Sequence, residues 1–202
     1  LLAIPLFILA GALMNTTSIS RRLINLTSAL IGFVRGGLAM VNVGVSMFFA
    51  EISGSAVADV AAIGSVLIPA MKKRNYTPEL SAAVTSSSAS IAIIIPPSIA
   101  MILYGALSDT SIVQLFVAGI IPGVVGGFSM MGLCYWYAVR FNLPREEAFS
   151  LRKLWVAFKE AGWALTLPVI ILGGIFGGIV TATEGAGLAV VAALFIGGVI
   201  YR

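Results

Sequence analysis

The residues best suited to chemistry in this sequence stand in the stretch EISGSAVAD. Ser53, Gly54 and Ser55 place two hydroxyls around a glycine, and Glu51 and Asp59 add a carboxylate on each side. Hydroxyl and carbonyl oxygens are hard ligands that suit an alkali cation, and a helix N-terminus after such a turn suits a carboxylate. The stretch is therefore a candidate ion- and substrate-binding site. The alternative is that its small residues only let helices pack closely.

The two carboxylates allow two interpretations. Charges inside a membrane are costly and usually functional, which favours ion binding or a proton relay by Glu51 or Asp59. A carboxylate next to a helix N-terminus can instead stabilise that terminus. We favour a structural or solvated role beside a polar cavity and leave ion binding open. Glu184, in TATEG between two later apolar runs, is expected to cap a helix for the same reason.

A second group of polar residues interrupts the apolar run 80–107. Five of the six residues at 85–90 are Ser or Thr, and Pro96 and Pro97 follow. Consecutive prolines remove two backbone donors, so the helix is predicted to break here, with the hydroxyl run at the break. Broken helices of this kind indicate the binding site of a transporter. The predicted site residues in this run are Thr85, Ser86, Ser87, Ser88 and Pro97.

Composition decides what kind of protein must position these residues. Of the 202 residues 59% are hydrophobic and 10% are charged, whereas soluble domains carry about 25% charged residues. We therefore predict an all-α polytopic membrane protein. There is no histidine and a single cysteine, Cys134, which removes Ser-His-Asp and HExxH chemistry, so no catalytic residue, enzymatic activity or organic cofactor is predicted. The basic residues cluster between apolar runs, as membrane orientation requires, and do not indicate nucleic-acid binding.

Apolar runs and breaks divide the chain into eight predicted segments. These are a truncated transmembrane segment (1–14), an interfacial amphipathic helix (15–37), a re-entrant hairpin (38–71), a discontinuous transmembrane helix (80–107), a transmembrane helix (112–139), a cytoplasmic connection with an interfacial helix (140–162), and two further transmembrane helices (163–180 and 186–201). Because the first run is shorter than the roughly 20 residues of a span, we expect the chain to be a piece of a longer one.

Helix length and charge indicate that 38–71 turns back inside the membrane. Split at the Ser-Gly-Ser turn, its arms 38–50 and 56–71 are each about 20–24 Å long, too short to cross comfortably. If both arms enter and leave on one side, all 12 basic residues lie on the cytoplasmic side, as the positive-inside rule requires. Two full spans give the same orientation, so that alternative stays open.

Five stretches of this sequence resemble a known transporter family. They are PLFILAGALMNTTSISRRLI (5–24), FFAEISGSAVADVAAIGSVLIPAM (48–71), IIIPPSIAMILYG (93–105), LFVAGIIPG (115–123) and GGIVTATEGAG (177–187). Together they are similar to the large membrane subunit of the TRAP (tripartite ATP-independent periplasmic) transporters. The similarity extends over essentially the whole chain. The family's large subunit is much longer, so this chain corresponds to its N-terminal half.

The resemblance implies an elevator-type ion-transporter fold, of which this chain would form half of an inverted repeat. It also implies import of an organic acid, such as a C4-dicarboxylate or sialic acid, with sodium across the bacterial inner membrane. The implied partners are a small four-helix membrane subunit, a periplasmic substrate-binding protein and the lipid bilayer, and sodium serves as coupling ion. The implied sodium site comprises Ser53, Gly54, Ser55 and Ser87.

Two alternatives remain at this stage. One is a proton-coupled carrier in which Asp59 or Glu51 titrates. The other is a structural membrane subunit that transports no solute, in which case the serine-rich segments would face other helices.

Overall fold

The computed structural model describes residues 2–143, 145 and 149–201. These residues form nine α-helices and no strand, which confirms the predicted all-α class. The helices are α1 (Ala3–Thr16), α2 (Ile19–Ile31), α3 (Gly37–Ser53), α4 (Ala56–Lys73), α5 (Pro78–Ala89), α6 (Ile99–Ser108), α7 (Ile112–Arg140), α8 (Leu151–Phe176) and α9 (Ala182–Phe195). A 3-10 turn, Ser90–Ile93, follows α5, and a π-helical turn, Ile196–Ile200, follows α9.

Three of these helical segments are long and apolar enough to cross a membrane: Ile112–Arg140, Leu151–Phe176 and Ala182–Ile200. The first two helices, α1 and α2, would pass the same test only as one span, yet they meet at an angle of 73°. Length and composition thus agree with the membrane class predicted from the sequence.

The pair α3 and α4 forms the predicted hairpin. Its two helices contain 17 and 18 residues, or about 25–27 Å each. They run antiparallel, since Asn42 near the start of α3 donates to the sulfur of Met71 near the end of α4 at 3.6 Å. The turn falls at Gly54 and Ser55, where the sequence placed it. That the pair turns back inside a bilayer stays a prediction.

The discontinuous segment breaks at the predicted prolines, but the hydroxyl run does not lie at the break. Residues 85–89 are α-helical within α5, and the irregular backbone covers 94–98. The hydroxyls do not open the helix because they bond to carbonyls of their own turns, as Thr85 does to Ser81 (2.8 Å) and Ser86 to Ala82 (2.9 Å). Helix α5 ends at Ala89 and continues as a 3-10 turn to Ile93, and the prolines that follow lack the N–H needed to continue a helix. Thr85 to Ser88 are therefore not the break itself.

The C-terminal part contains one helix where two were predicted. The predicted connection 140–162 and the span 163–180 meet inside α8, which runs without interruption from Leu151 to Phe176. A lone Gly162 does not stop a helix of otherwise good helix formers, and Pro168 is accommodated within it. Ahead of α9, Thr181 and Glu184 form a reciprocal capping box, which confirms the capping role predicted for Glu184.

Helix α1 packs against the end of α3 next to the hairpin tip. Phe7 and Met14 of α1 and Phe49 and Ile52 of α3 are fully buried in one apolar cluster. Gly11 of α1 faces Ser53 so closely that a Cβ on Gly11 would stand 3.0 Å from that of the serine. Helix α1 therefore forms a wall beside the hairpin tip.

Candidate ion- and substrate-binding site

The hairpin tip is built around one glycine that no other residue replaces without strain. Helix α3 ends at Ser53, and Gly54 follows with φ of +57°, in the left-handed region. A Cβ at Gly54 would collide with the carbonyl oxygen of Pro97. Ser55 then begins α4 as its N-cap, accepting a hydrogen bond from the amide of Ala58 at 3.4 Å. Conformation and space both require the glycine.

The two interruptions predicted from the sequence meet at this point. The carbonyl of Gly54 accepts a hydrogen bond from the amide of Ile99 at 3.2 Å, directly after the prolines. Ser98 holds the other side of the break, donating to the Ile93 carbonyl at 2.7 Å and accepting from the amide of Met101 at 3.4 Å. The hairpin tip is thus docked on the break of the discontinuous segment.

A buried carboxylate stands directly below the tip. The hydroxyl of Ser53 donates to Oδ1 of Asp59 at 2.5 Å and accepts from the amide of Ser55 at 3.2 Å. Asp59 is fully buried, in the first turn of α4, where the helix dipole favours a negative charge. Its second oxygen, Oδ2, is also buried and accepts no hydrogen bond from any described residue. Asp59 therefore offers an unused acceptor beside the tip.

The donors gathered here limit which ligands the tip can hold. Around the tip are the hydroxyls of Ser53 and Ser55, the Gly54 carbonyl with its second lone pair, and Asp59 Oδ2. In the described part of the chain, no three His, Cys, Asp or Glu side chains lie close enough together to hold a metal ion. Hydroxyls, carbonyls and one carboxylate are hard oxygen ligands that suit an alkali cation or a proton better than a transition metal.

The remaining predicted residues differ in how close they lie to the tip. Glu51 is half-buried in the last turn of α3 and makes no hydrogen bond to another described residue. Ser86 and Ser87 are exposed on α5, and the Ser87 carbonyl accepts from the hydroxyl of Ser90 at 2.6 Å. Pro97 is buried against the tip.

A second polar cluster, which sequence reasoning missed, joins α3 to α5. Asn42 donates through Nδ2 to Oγ1 of Thr85 at 2.7 Å, and the hydroxyls of Ser46 and Ser88 are 2.8 Å apart. Ser88 also donates to Asn42 Oδ1 at 3.4 Å, and Ser46 to the Asn42 carbonyl at 2.9 Å. All four side chains are buried. The sequence does contain a sign of this cluster, because Asn42 and Ser46 stand four residues apart in an otherwise apolar stretch and so share one helix face.

This cluster, which we call the lower cluster, lies at a different level from the tip. Ser46 precedes Ser53 by seven residues of continuous helix, so Ser88 opposite it lies about 10 Å below the tip. Asn42 and Thr85 lie a further turn below. The structure therefore brings Pro97, and not the run Thr85–Ser88, against the Ser-Gly-Ser turn.

Comparison with known proteins places these features in a family. The family model described as "Tripartite ATP-independent periplasmic transporter, DctM component" matches residues 1–202. The chain is 46% identical over 202 residues to the 2,3-diketo-L-gulonate TRAP transporter large permease protein YiaN of Escherichia coli (strain K12), covering 100% of this chain and 48% of YiaN. It is 44% identical over 202 residues to the C4-dicarboxylate TRAP transporter large permease protein DctM of Vibrio cholerae, covering 100% of this chain and 45% of that protein.

A third relative has a different substrate in its name. The chain is 40% identical over 202 residues to the sialic acid TRAP transporter permease protein SiaT of Haemophilus influenzae, covering 100% of this chain and 33% of SiaT. The chain thus spans half or less of the length of the curated relatives it matches. With the family match over all 202 residues, the apolar helices identify an integral membrane protein. This chain belongs to the DctM family of tripartite ATP-independent periplasmic transporters.

Proposed function

We propose that this chain forms the N-terminal part of the large membrane subunit of a secondary carrier that imports an organic acid together with sodium. The observation that carries the proposal is the docking of the hairpin tip on the helix break through the Gly54 carbonyl and the Ile99 amide. Two interrupted helices meeting at one depth are the arrangement that transporters use for ion and substrate sites. The names of relatives, which include C4-dicarboxylate and sialic acid transporters, support a carboxylate substrate.

The proposed sodium site lies at the tip. Ser53, Gly54 and Ser55 supply hydroxyl and carbonyl oxygens, and the unused Oδ2 of Asp59 supplies the negative charge that offsets the cation. Ser87, the fourth predicted ligand, is exposed on α5. Its place in the sodium site stays a prediction.

The transport cycle we propose is an elevator movement. The hairpin, its tip and the docked break move as one unit relative to the long helices, and they carry the site across the bilayer of the bacterial inner membrane. The lower cluster supports this view, since four buried hydrogen-bonding side chains fasten α3 to α5. Glu51, half-buried beside the tip, then faces a polar cavity and not lipid.

The proposed complex has two further components, a small four-helix membrane subunit and a periplasmic substrate-binding protein. The isethionate relative of Oleidesulfovibrio alaskensis is named permease protein DctMQ, and this chain covers 32% of it, against 45% of the Vibrio cholerae DctM. The greater length of this relative and the two letters M and Q in its name support the proposal that a second component is joined to the permease. The family description, "periplasmic transporter", supports delivery of substrate from the periplasm.

A specific observation supports proton coupling as the second candidate. Oδ2 of Asp59 is buried without a hydrogen-bond partner among the described residues, and protonation removes the negative charge whose burial is costly. In that case sodium is dispensable and Asp59→Asn abolishes the dependence of uptake on a proton gradient.

The experiment uses the full-length parent with its small subunit and cognate binding protein in proteoliposomes. Uptake of labelled carboxylates is followed with an inward sodium gradient, with potassium substituted, and with a proton gradient alone. The test variant is Ser53→Ala with Ser55→Ala, and the matched control is Ser65→Ala, an exposed serine of α4 whose hydroxyl bonds only within its own helix, to the Ala62 carbonyl.

We expect uptake only with sodium and binding protein, a weakened sodium dependence in the double variant, and no change in Ser65→Ala. Uptake driven by protons alone transfers the proposal to Asp59. An unchanged sodium titration in the double variant removes the tip as a ligand. No uptake of any organic acid contradicts the transport function itself.

A further inference from the structure

The middle of α8 combines three features that weaken a helix. Gly162 lies in the helix interior, where glycine is less favourable than alanine. Pro168 lacks the N–H that would bond to the carbonyl of Ala164. Between them, the hydroxyl of Thr166 donates to the Trp163 carbonyl at 2.7 Å, and bonds of this type often bend a helix. All three features fall within about two turns of α8.

This weak section lies where α8 is expected to leave the membrane interface. The helix has 26 residues, so it is about 39 Å long and exceeds the roughly 30 Å of the hydrocarbon core. Trp163 is exposed, and exposed tryptophans are typical of the headgroup level. The sequence predicted a boundary between an interfacial helix and a span at the same place. The two parts of α8 therefore have different surroundings.

Two side chains from outside α8 bind to the weak section. Nη1 of Arg22, on α2, donates to the Glu160 carbonyl at 3.2 Å, and the hydroxyl of Tyr201 accepts from the amide of Ala164 at 3.1 Å. In a regular α-helix this carbonyl and this amide bond to each other, since they are four residues apart. The guanidinium carbon of Arg22 also lies 4.1 Å from the centre of the Tyr201 ring, a cation–π contact. We call Arg22 and Tyr201 the clasp.

The position of Tyr201 depends on the end of α9 and on the corner between α1 and α2. Its amide donates to the Ile196 carbonyl at 2.9 Å, the five-residue bond of a π-helical turn. Its carbonyl accepts a hydrogen bond from the hydroxyl of Ser18 at 3.2 Å. Gly197 packs so closely on Thr17 that a Cβ on Gly197 would stand 2.5 Å from the methyl carbon of that threonine. The clasp thus joins three separate elements to one turn of α8.

We propose that residues 160–168 form a hinge in α8 and that the clasp holds this hinge closed as one continuous helix. Leu26 of α2 packs with Ala157 and Ala161 of α8 in one buried cluster, so α2 and the interfacial part of α8 move together. A shift of α2 or of the end of α9 separates a member of the clasp from its backbone partner, and the angle between the two parts of α8 is then free to change. This inference does not depend on which ion or acid the protein carries.

The test measures amide hydrogen exchange along α8 by mass spectrometry, with the full-length parent in lipid nanodiscs. Exchange of a protected amide follows the population of locally open states. Tyr201→Phe keeps the ring but loses the hydroxyl, so the amides of 160–168 should exchange about 5-fold faster, the effect of one hydrogen bond. Arg22→Gln loses a charged donor and the cation–π contact and should exchange about 30-fold faster there. The matched controls are Tyr104→Phe and Arg21→Gln, two exposed residues of the same types, and they should leave this exchange unchanged.

A rescue experiment separates a hinge from a general loss of stability. Gly162→Ala stiffens the hinge without a clash, because a Cβ at Gly162 meets nothing within 4 Å. Combined with Tyr201→Phe, it should slow the exchange of 160–168 by about 5-fold, back to the rate of the parent. Gly173→Ala, later in α8 and with equally open space, is the matched control and should restore nothing at the hinge.

Three results would overturn this proposal. Unchanged exchange in both clasp variants would show that the clasp does not hold the helix together. Equally faster exchange in all helices would show that the clasp supports overall stability and no particular section of α8. Failure of Gly162→Ala to restore protection, or equal restoration by Gly173→Ala, would show that residues 160–168 are not a hinge.

Discussion

The hairpin tip and the lower cluster are both polar and buried, and both include residues of α3. They differ in whether their polar groups have hydrogen-bond partners. In the lower cluster Asn42, Ser46, Thr85 and Ser88 all have hydrogen-bond partners. At the tip, the backbone of Gly54 is in the left-handed region, and one oxygen of Asp59 has no hydrogen-bond partner among the described residues. A satisfied network fixes two helices to each other, whereas an unsatisfied carboxylate lowers stability until something binds it. The lower cluster therefore holds α3 and α5 together, whereas the hairpin tip is the part that we propose binds the ion.

The largest expected effect comes from changing the tip backbone. Gly54→Ala forces an L side chain into the left-handed region, at a cost of about 1–2 kcal/mol, and drives its Cβ into the Pro97 carbonyl. We expect sodium-driven uptake to fall to background, because the tip and the break separate. Gly126→Ala is the matched control, since a Cβ at Gly126 meets nothing within 4 Å. Normal uptake by Gly54→Ala would show that the docking is not needed for transport.

The next effect separates ion binding from stability at Asp59. A ligand present at 100 times its dissociation constant stabilises the folded state by about 2.7 kcal/mol. We expect Asp59→Asn to lose this sodium-dependent rise in the thermal midpoint, while its midpoint in potassium equals or exceeds that of the parent. The reason is that Oδ2 of Asp59 is buried and accepts no hydrogen bond within the described part of the chain. Retention of the full sodium shift by Asp59→Asn would remove this carboxylate from the proposed site.

The lower cluster is tested by the same comparison of thermal midpoints in sodium and in potassium. Asn42→Leu keeps a similar volume but leaves Thr85 and Ser88 without the amide that bonds to both. Thr85 keeps its bond to the Ser81 carbonyl, and Ser88 keeps its bonds to Ser46 and to the Thr85 carbonyl. The variant therefore loses two hydrogen bonds worth about 0.5–1.5 kcal/mol each, and the midpoint should fall equally in sodium and in potassium. The sodium-dependent rise should survive. Loss of that rise would place an ion at Thr85 and Ser88, which stay predicted site residues, and would remove the contrast between the two regions.

The sequence was sufficient for the features that depend on local chemistry. The turn at Gly54, the break at Pro96 and Pro97 and the capping box at Glu184 all follow from residues within a few positions of each other. The prediction that the serine-rich run lies at the helix break was wrong. A Ser or Thr hydroxyl can either weaken a helix or bond to a carbonyl of its own preceding turn, and the sequence alone does not distinguish the two. At Thr85 the hydroxyl bonds to the Ser81 carbonyl of its own helix, and its second contact, with Asn42 43 positions away, is one that only the fold supplies.

The smallest effect is the coupling between two hydroxyls of the lower cluster. Ser46 and Ser88 are 2.8 Å apart, and each also bonds to a backbone carbonyl, Ser46 to Asn42 and Ser88 to Thr85. Each single variant loses the bond between Ser46 and Ser88, and Ser88→Ala also loses the contact with Asn42 Oδ1. The double variant loses the shared bond only once. A double-mutant cycle in urea should give a coupling free energy of about 0.5–1.5 kcal/mol, the net worth of one neutral hydrogen bond. Ser65→Ala with Ser88→Ala serves as the control cycle, because the hydroxyl of Ser65 bonds only within its own helix, and its coupling should be near zero. Zero coupling between Ser46 and Ser88 would mean that apolar packing alone joins α3 to α5, so that the hairpin and α5 need not move as one unit.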